Sequence, residues 1–270
     1  MGTCLFCTGK TELTEEHIFA KWSAKILNVE FPIKIMINGT KPFEGSKTRK
    51  ALKVSTHQVC KSCNNGWLAE LERNSKPLLH NIILGKTKMV PEYFDSSDQI
   101  TIAVWATKTM LLLDYASSYE HGYRTNLFTQ KQLQLMMQKL FSTKAPLEDT
   151  TVWISATKTR NPEDPKGVRL LSFHTSTKLL DGSYLSTFTL ASLVIQILFK
   201  TPQSTEHIEP PYPYRFLLAP VFPQLMPRIF FQPKKRLCAF EASDLEGLSL
   251  WKSEVDPICW TTYIRIYLVL

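Results

Sequence analysis

The spacing of apolar residues changes character along the chain. From Ile100 to Tyr115 they recur at helical intervals (Ile102, Trp105, Ala106, Thr109, Leu112, Leu113), which predicts an α-helix. Thr129 to Phe141 predicts a second, with Leu133, Met136, Met137 and Leu140 on one face. Further on the pattern shortens. Thr151 to Ala156, Val168 to Thr175 and Tyr184 to Leu190 read as strands, as does the run from Trp260 to Leu270 with Tyr263, Ile264, Ile266, Tyr267 and Val269. Leu190 to Phe199 is apolar but short and holds Ser192 and Gln196, so it reads as a core element and not a membrane span. Residues 202–233 hold eight of the sixteen prolines, which argues against long regular elements there.

The first third is different. Residues 23–56 read as irregular and basic. Val54 to Val59 suits a short strand, and Trp67, Leu68 and Leu71 then start a helix that Pro77 is expected to stop. Gly85, Pro91 and the run Asp95-Ser96-Ser97-Asp98 mark a boundary, so two units are expected, residues 1–90 and 91–270. Helices and strands in separate runs give an α+β class, the second unit being a mixed helix and antiparallel-sheet domain.

Composition narrows the function classes. At 44% hydrophobic and 21% charged the chain is not wholly disordered. Its net charge is 32 − 24 = +8. Residues 1–90 carry 14 Lys/Arg against 7 Asp/Glu, a net of +7, so the excess sits in the first third and suggests a polyanionic partner there. The start, Met1-Gly2-Thr3-Cys4-Leu5-Phe6, lacks the charged and apolar regions of a secretory signal. The expectation is a cytoplasmic protein without a membrane partner, in which structural disulfides are rare.

The cysteines therefore need another explanation. Cys4-x2-Cys7 and Cys60-x2-Cys63 repeat one spacing, while Cys238 and Cys259 are isolated and read as small buried hydrophobes. Two C-x2-C turns suit a tetrahedral Zn²⁺, each offering two thiolates. The spacer exceeds that of a simple zinc ribbon, so the zinc closes a long loop with Glu16-His17 and a basic stretch inside it. Asn64 and Asn65 follow the second pair directly.

Taken in order, Cys4-x2-Cys7, Glu16-His17-Ile18-Phe19 and Cys60-x2-Cys63-Asn64-Asn65-Gly66-Trp67 resemble the zinc-containing HNH endonuclease family. The resemblance covers roughly residues 1–75. It implies a ββα-metal fold, with the four cysteines on a structural zinc. It also implies His17 as the general base that deprotonates water, with Glu16 (where the family usually has Asp) and Asn64 as ligands of a catalytic Mg²⁺ or Mn²⁺. Where the family has a middle asparagine this chain has Ser55 and Thr56, with His57 beside them as a substitute or a further ligand. The chemistry is coherent: imidazole titrates near neutrality, and a hard cation prefers oxygen. Lys47, Arg49, Lys50 and Lys53 suit contacts to a phosphate backbone.

Each residue also has a plainer reading. Glu16 suits the first turn of a helix capped by Thr14, Asn64 and Asn65 suit caps, and Trp67 suits the core of its helix. The expected function is a metal-dependent endonuclease acting on DNA, in bacterial defence or a mobile element. The alternative is a catalytically inactive HNH-like zinc module that binds nucleic acid or protein. Residues 91–270 carry no recognisable motif and are expected to oligomerise, to sense a ligand or to dock a protein partner.

Overall fold

The computed structural model describes residues 1–26, 33–37, 41–42, 55–84, 92–116, 128–156, 168–178, 182–201, 218–223, 229–231 and 262–269. Two short strands open it, β1 (Gly2–Thr3) and β2 (Lys10–Thr11), followed by β3 (Leu13–His17) and helix α1 (Lys21–Ile26). Strands β4 (Ile33–Ile37), β5 (Lys41–Pro42) and β6 (Ser55–Cys60) come next. A single turn, α2 (Lys61–Cys63), leads through a widened turn at Asn64–Leu68, kinked at Gly66 (φ −94°, ψ −107°), into α3 (Ala69–Ile83). Then come β7 (Glu92–Phe94), α4 (Ser96–Tyr115), α5 (Gln130–Thr143), β8 (Thr150–Ala156), β9 (Val168–Lys178), β10 (Tyr184–Leu190), β11 (Leu193–Phe199), β12 (Ala219–Phe222), β13 (Ile229–Phe231) and β14 (Thr262–Val269).

The class is mixed α+β. Eight strands form one sheet in the order β12-β8-β11-β10-β9-β14-β4-β5, every neighbouring pair antiparallel. Three two-stranded sheets (β1-β2, β3-β6 and β7-β13) complete the described strands. Helices α4 and α5 start where their sequences offer a reciprocal cap. Asp95 accepts from the Asp98 N–H at 2.9 Å while Asp98 accepts from the Asp95 N–H, and Thr129 and Gln132 repeat the arrangement for α5.

β11 is buried along its whole length and β10 along nearly all of it, because helices pack against this part of the sheet. β11 is accordingly a near-continuous apolar run broken only by Gln196, whereas β10 also buries Ser186, Thr187 and Thr189. A two-residue turn joins them, with Ala191 at φ 49° and Leu190 opposite Leu193. The Ser192 N–H donates to the Ile83 carbonyl, which ties this turn to the end of α3. One apolar cluster runs from Cys4, Phe6 and Ile18 through Trp105 and Leu112 to Phe188, Ile195 and Val221.

Three expectations change. Pro77 does not end its helix: α3 continues to Ile83. The proline removes one backbone donor, but Leu79, Ile82 and Ile83 beyond it are fully buried and hold the helix in place. Residues 13–17 form a strand, so Glu16 is not a first-turn helix acid. Ile33–Ile37, in the stretch read as irregular, is a strand of the large sheet, paired with β14.

Candidate functional site

The first cysteine pair sits on a tight turn. The Cys4 N–H donates to the Gly9 carbonyl and the Thr8 N–H to the Cys4 carbonyl, with Thr8 in the left-handed region at φ 61°. Leu5 then bonds to Gln58 of β6, which brings this turn against the second pair at the end of that strand. The sulfurs of Cys4, Cys7, Cys60 and Cys63 lie within 4.8 Å of one another. Tetrahedral zinc with Zn–S bonds of about 2.3 Å needs sulfurs about 3.8 Å apart, so the cluster fits the ion. Cys7 and Cys60 are closest to hand at 3.6 Å, far beyond the ~2.05 Å of a disulfide, and all four thiols are free.

The backbone is arranged for thiolates. The Cys60 N–H points at Cys4 Sγ (3.4 Å) and the Cys63 N–H at Cys60 Sγ (3.5 Å), while the Ser62 hydroxyl lies 3.1 Å from Cys60 Sγ. Burial alone raises the Cys60 thiol, but the Ser62 and Cys63 hydrogen bonds outweigh it and bring the group to about 6. Burial and the neighbouring cysteines push Cys63 well up, and burial also raises Cys7. Four thiols packed this closely ionise together only around a cation.

Strands β3 and β6 form an antiparallel pair that leads through the second cysteine turn into α3. Glu16 lies opposite Thr56 and His17 opposite Ser55, with a register shift between Thr14 and Glu16. Side chains opposite one another share a face, and neighbours along a strand alternate. Glu16 and Thr56 are accordingly buried on the inner face. His17, half-buried, shares the outer face with Ser55 and with exposed His57, and the Ser55 hydroxyl donates to the Glu15 carboxylate at 2.8 Å. Asn64, in the widened turn after Cys63, donates its amide to the Thr14 hydroxyl (3.0 Å) and the Glu15 carbonyl (2.9 Å). Asn65, its neighbour, is exposed. Trp67 packs edge-on against Phe6 and Phe141, joining the first cysteine turn to α5.

Glu16 faces the protein interior. Its Oε1 lies 3.7 Å from the ammonium of Lys108, a fully buried residue in the middle of α4. Lys108 donates to Glu72 Oε1 at 2.7 Å, and Glu72 Oε2 accepts from the Trp22 indole at 2.8 Å. At 3.7 Å the Glu16 contact is electrostatic and too long for a hydrogen bond. Burial raises the Glu16 carboxyl above its ordinary value, with Lys108 opposing and Glu72 adding to the shift. Burial alone would lower Lys108, but the two carboxylates outweigh it and hold the ammonium above the ordinary lysine value.

The structure thus brings the four cysteines together and sets His17, Asn64 and His57 on the paired strands and the turn beside them. It separates adjacent Glu16 and His17 onto opposite faces. Lys47, Arg49, Lys50 and Lys53 lie outside the described residues, as do Cys238 and Cys259. Lys108, Glu72 and Trp22 gave no motif in the sequence. The one available signal was a lysine inside a largely apolar helical run, between Thr107 and Thr109. Among the described residues no helix is long and apolar enough to cross a membrane. Searches against family models, curated proteins and solved structures find no match to this chain.

Proposed function

We propose that this protein is a metal-dependent endonuclease of HNH type, with a structural zinc on Cys4, Cys7, Cys60 and Cys63. One observation carries the reading. Two antiparallel strands lead through a four-cysteine cluster into a helix, with His17 at the end of the first strand and Asn64 hydrogen-bonded to that strand from the turn before the helix. This is the order of parts that a ββα-metal unit requires.

In this reading His17 takes the proton from the attacking water. Glu16 and the Asn64 amide oxygen hold Mg²⁺ or Mn²⁺, which stabilises charge on the phosphate and the leaving oxygen. One feature of these ligands supports the assignment. The Asn64 amide nitrogen is already committed to β3, which leaves its oxygen as the ligand atom. The excess positive charge of residues 1–90 suits a DNA backbone.

A second reading has its own support. Glu16 leans on Lys108 from the face opposite His17, an arrangement that suits a non-catalytic zinc module binding nucleic acid or protein. Plasmid nicking separates the two. Under the nuclease reading the zinc-loaded protein nicks supercoiled DNA with Mg²⁺ or Mn²⁺, and His17→Ala abolishes nicking while keeping zinc and DNA binding. A wild-type protein that nicks no DNA with any divalent cation, yet still binds it, establishes the second reading instead.

A further inference from the structure

Lys108 is difficult to account for by stability. It is wholly buried in a helix whose other buried positions are largely apolar, and an apolar residue of similar volume there, with its acidic partners also replaced, is commonly neutral or stabilising. What the ammonium touches is more informative. Glu16 belongs to β3, next to His17 at the strand's end. Glu72 belongs to α3, beyond a kink at Gly66 that separates it from Asn64, whose amide is tied to β3 at the Glu15 carbonyl. One side chain from α4 therefore holds the strand that carries the histidine and the helix that follows the asparagine.

The rest of the cluster restrains the clamp. Glu72 uses its second oxygen on the Trp22 indole, and the Trp22 ring packs against Trp105, one turn before Lys108. Both Glu72 oxygens are thus occupied, and the ammonium has a fixed seat. Glu16 is left at 3.7 Å, close enough to be oriented and too far to be saturated.

We infer that Lys108 is a positioning residue for the candidate cation site: the ammonium sets β3 against α3, and so sets Glu16 relative to Asn64, without itself touching cation or substrate. The inference rests on the nuclease reading for the cation site itself and on the geometry for the contacts that Lys108 makes. It also makes helix α4, outside residues 1–90, part of the site's framework.

The test uses the zinc-loaded full chain. Lys108→Met combined with Glu72→Gln removes one buried charge of each sign and leaves Glu16 as the remaining carboxylate of the cluster. Mn²⁺ affinity, read by electron paramagnetic resonance, is expected to fall about tenfold or more while zinc content stays at wild type and the protein remains folded. Plasmid nicking then loses kcat at saturating Mn²⁺ with KM for DNA unchanged. Trp22→Phe, which deletes only the indole donor, is expected to weaken Mn²⁺ binding in the same direction and by less, and it decides the question if the double variant does not fold. Unchanged Mn²⁺ affinity in a folded variant overturns the inference, as does a wild type that binds no Mn²⁺. If wild type binds Mn²⁺ and the variants bind it less, but none of them nicks DNA, the nuclease reading fails and the positioning role stands.

Discussion

The amide of Asn64 reaches back across the zinc loop to donate to the Glu15 carbonyl at 2.9 Å. A side chain in the turn after the last cysteine thereby fixes the backbone of the strand that carries His17. Its hydrogen bonds to the Thr14 hydroxyl and the Glu15 carbonyl both use the amide nitrogen. Asn64→Asp removes the donors but keeps an oxygen ligand. If Asn64 only ties the strand, Asp and Ala substitutions destabilise alike, by about 1–2 kcal/mol in denaturant unfolding. If its oxygen also ligates the cation, Asn64→Asp retains Mn²⁺ binding that Asn64→Ala loses.

The cysteine cluster predicts one zinc ion per chain, released when the thiols are modified and counted by a colorimetric chelator. Cys7→Ser is expected to lower affinity steeply and to unfold the first turn, because a site of this kind contributes directly to folding. Acid weakens the site, since the ligands must be deprotonated to bind.

Glu16→Gln is expected to raise the melting temperature while abolishing any cation-dependent activity. Burial raises its carboxyl above the ordinary value against the opposing pull of Lys108, so the uncharged amide is the easier group to bury. Differential scanning calorimetry at pH 7 checks it, and a lower melting temperature contradicts it.

Lys108 gives the alkaline limb. Its folded pKa lies above the ordinary 10.5, so its contribution is present in full below pH 10.5 and is lost as pH rises through the elevated value. Wild type should therefore lose stability above pH 10.5 more steeply than the Lys108→Met/Glu72→Gln protein. Melts between pH 9 and pH 12 make the comparison.

Trp67 stands between Phe6 and Phe141, with ring centroids 5.7 and 5.6 Å away. Trp67→Ala is expected to cost about 2–3 kcal/mol, below the full price of a buried tryptophan because this one is half-exposed. Urea unfolding measures it.

Helices α3, α4 and α5 and five of the fourteen described strands (β6, β8, β9, β10 and β14) were readable because their signals are local. The helical recurrence of Ile102, Trp105 and Leu112 and the runs that became β8 and β10 lie within a few residues of what they specify. The cysteine pairs were readable for the same reason, as each is a short turn with a fixed spacing. What the sequence hid was pairing over distance. Ile33–Ile37 looked irregular because its partner lies more than two hundred residues away in β14. The orientation of Glu16 was hidden because it depends on an ammonium from α4 that no nearby pattern announces. Pro77 misled because a local rule lost to the burial of Leu79, Ile82 and Ile83.

The β4–β14 pairing also bears on synthesis. A ribosome adds about 5–20 residues per second, so Ile33–Ile37 emerges on the order of ten to forty seconds before the strand that covers its edge. During that interval an apolar strand with open hydrogen-bonding groups is offered to any passing chain. Slower translation lengthens the time for which this strand stands without its partner.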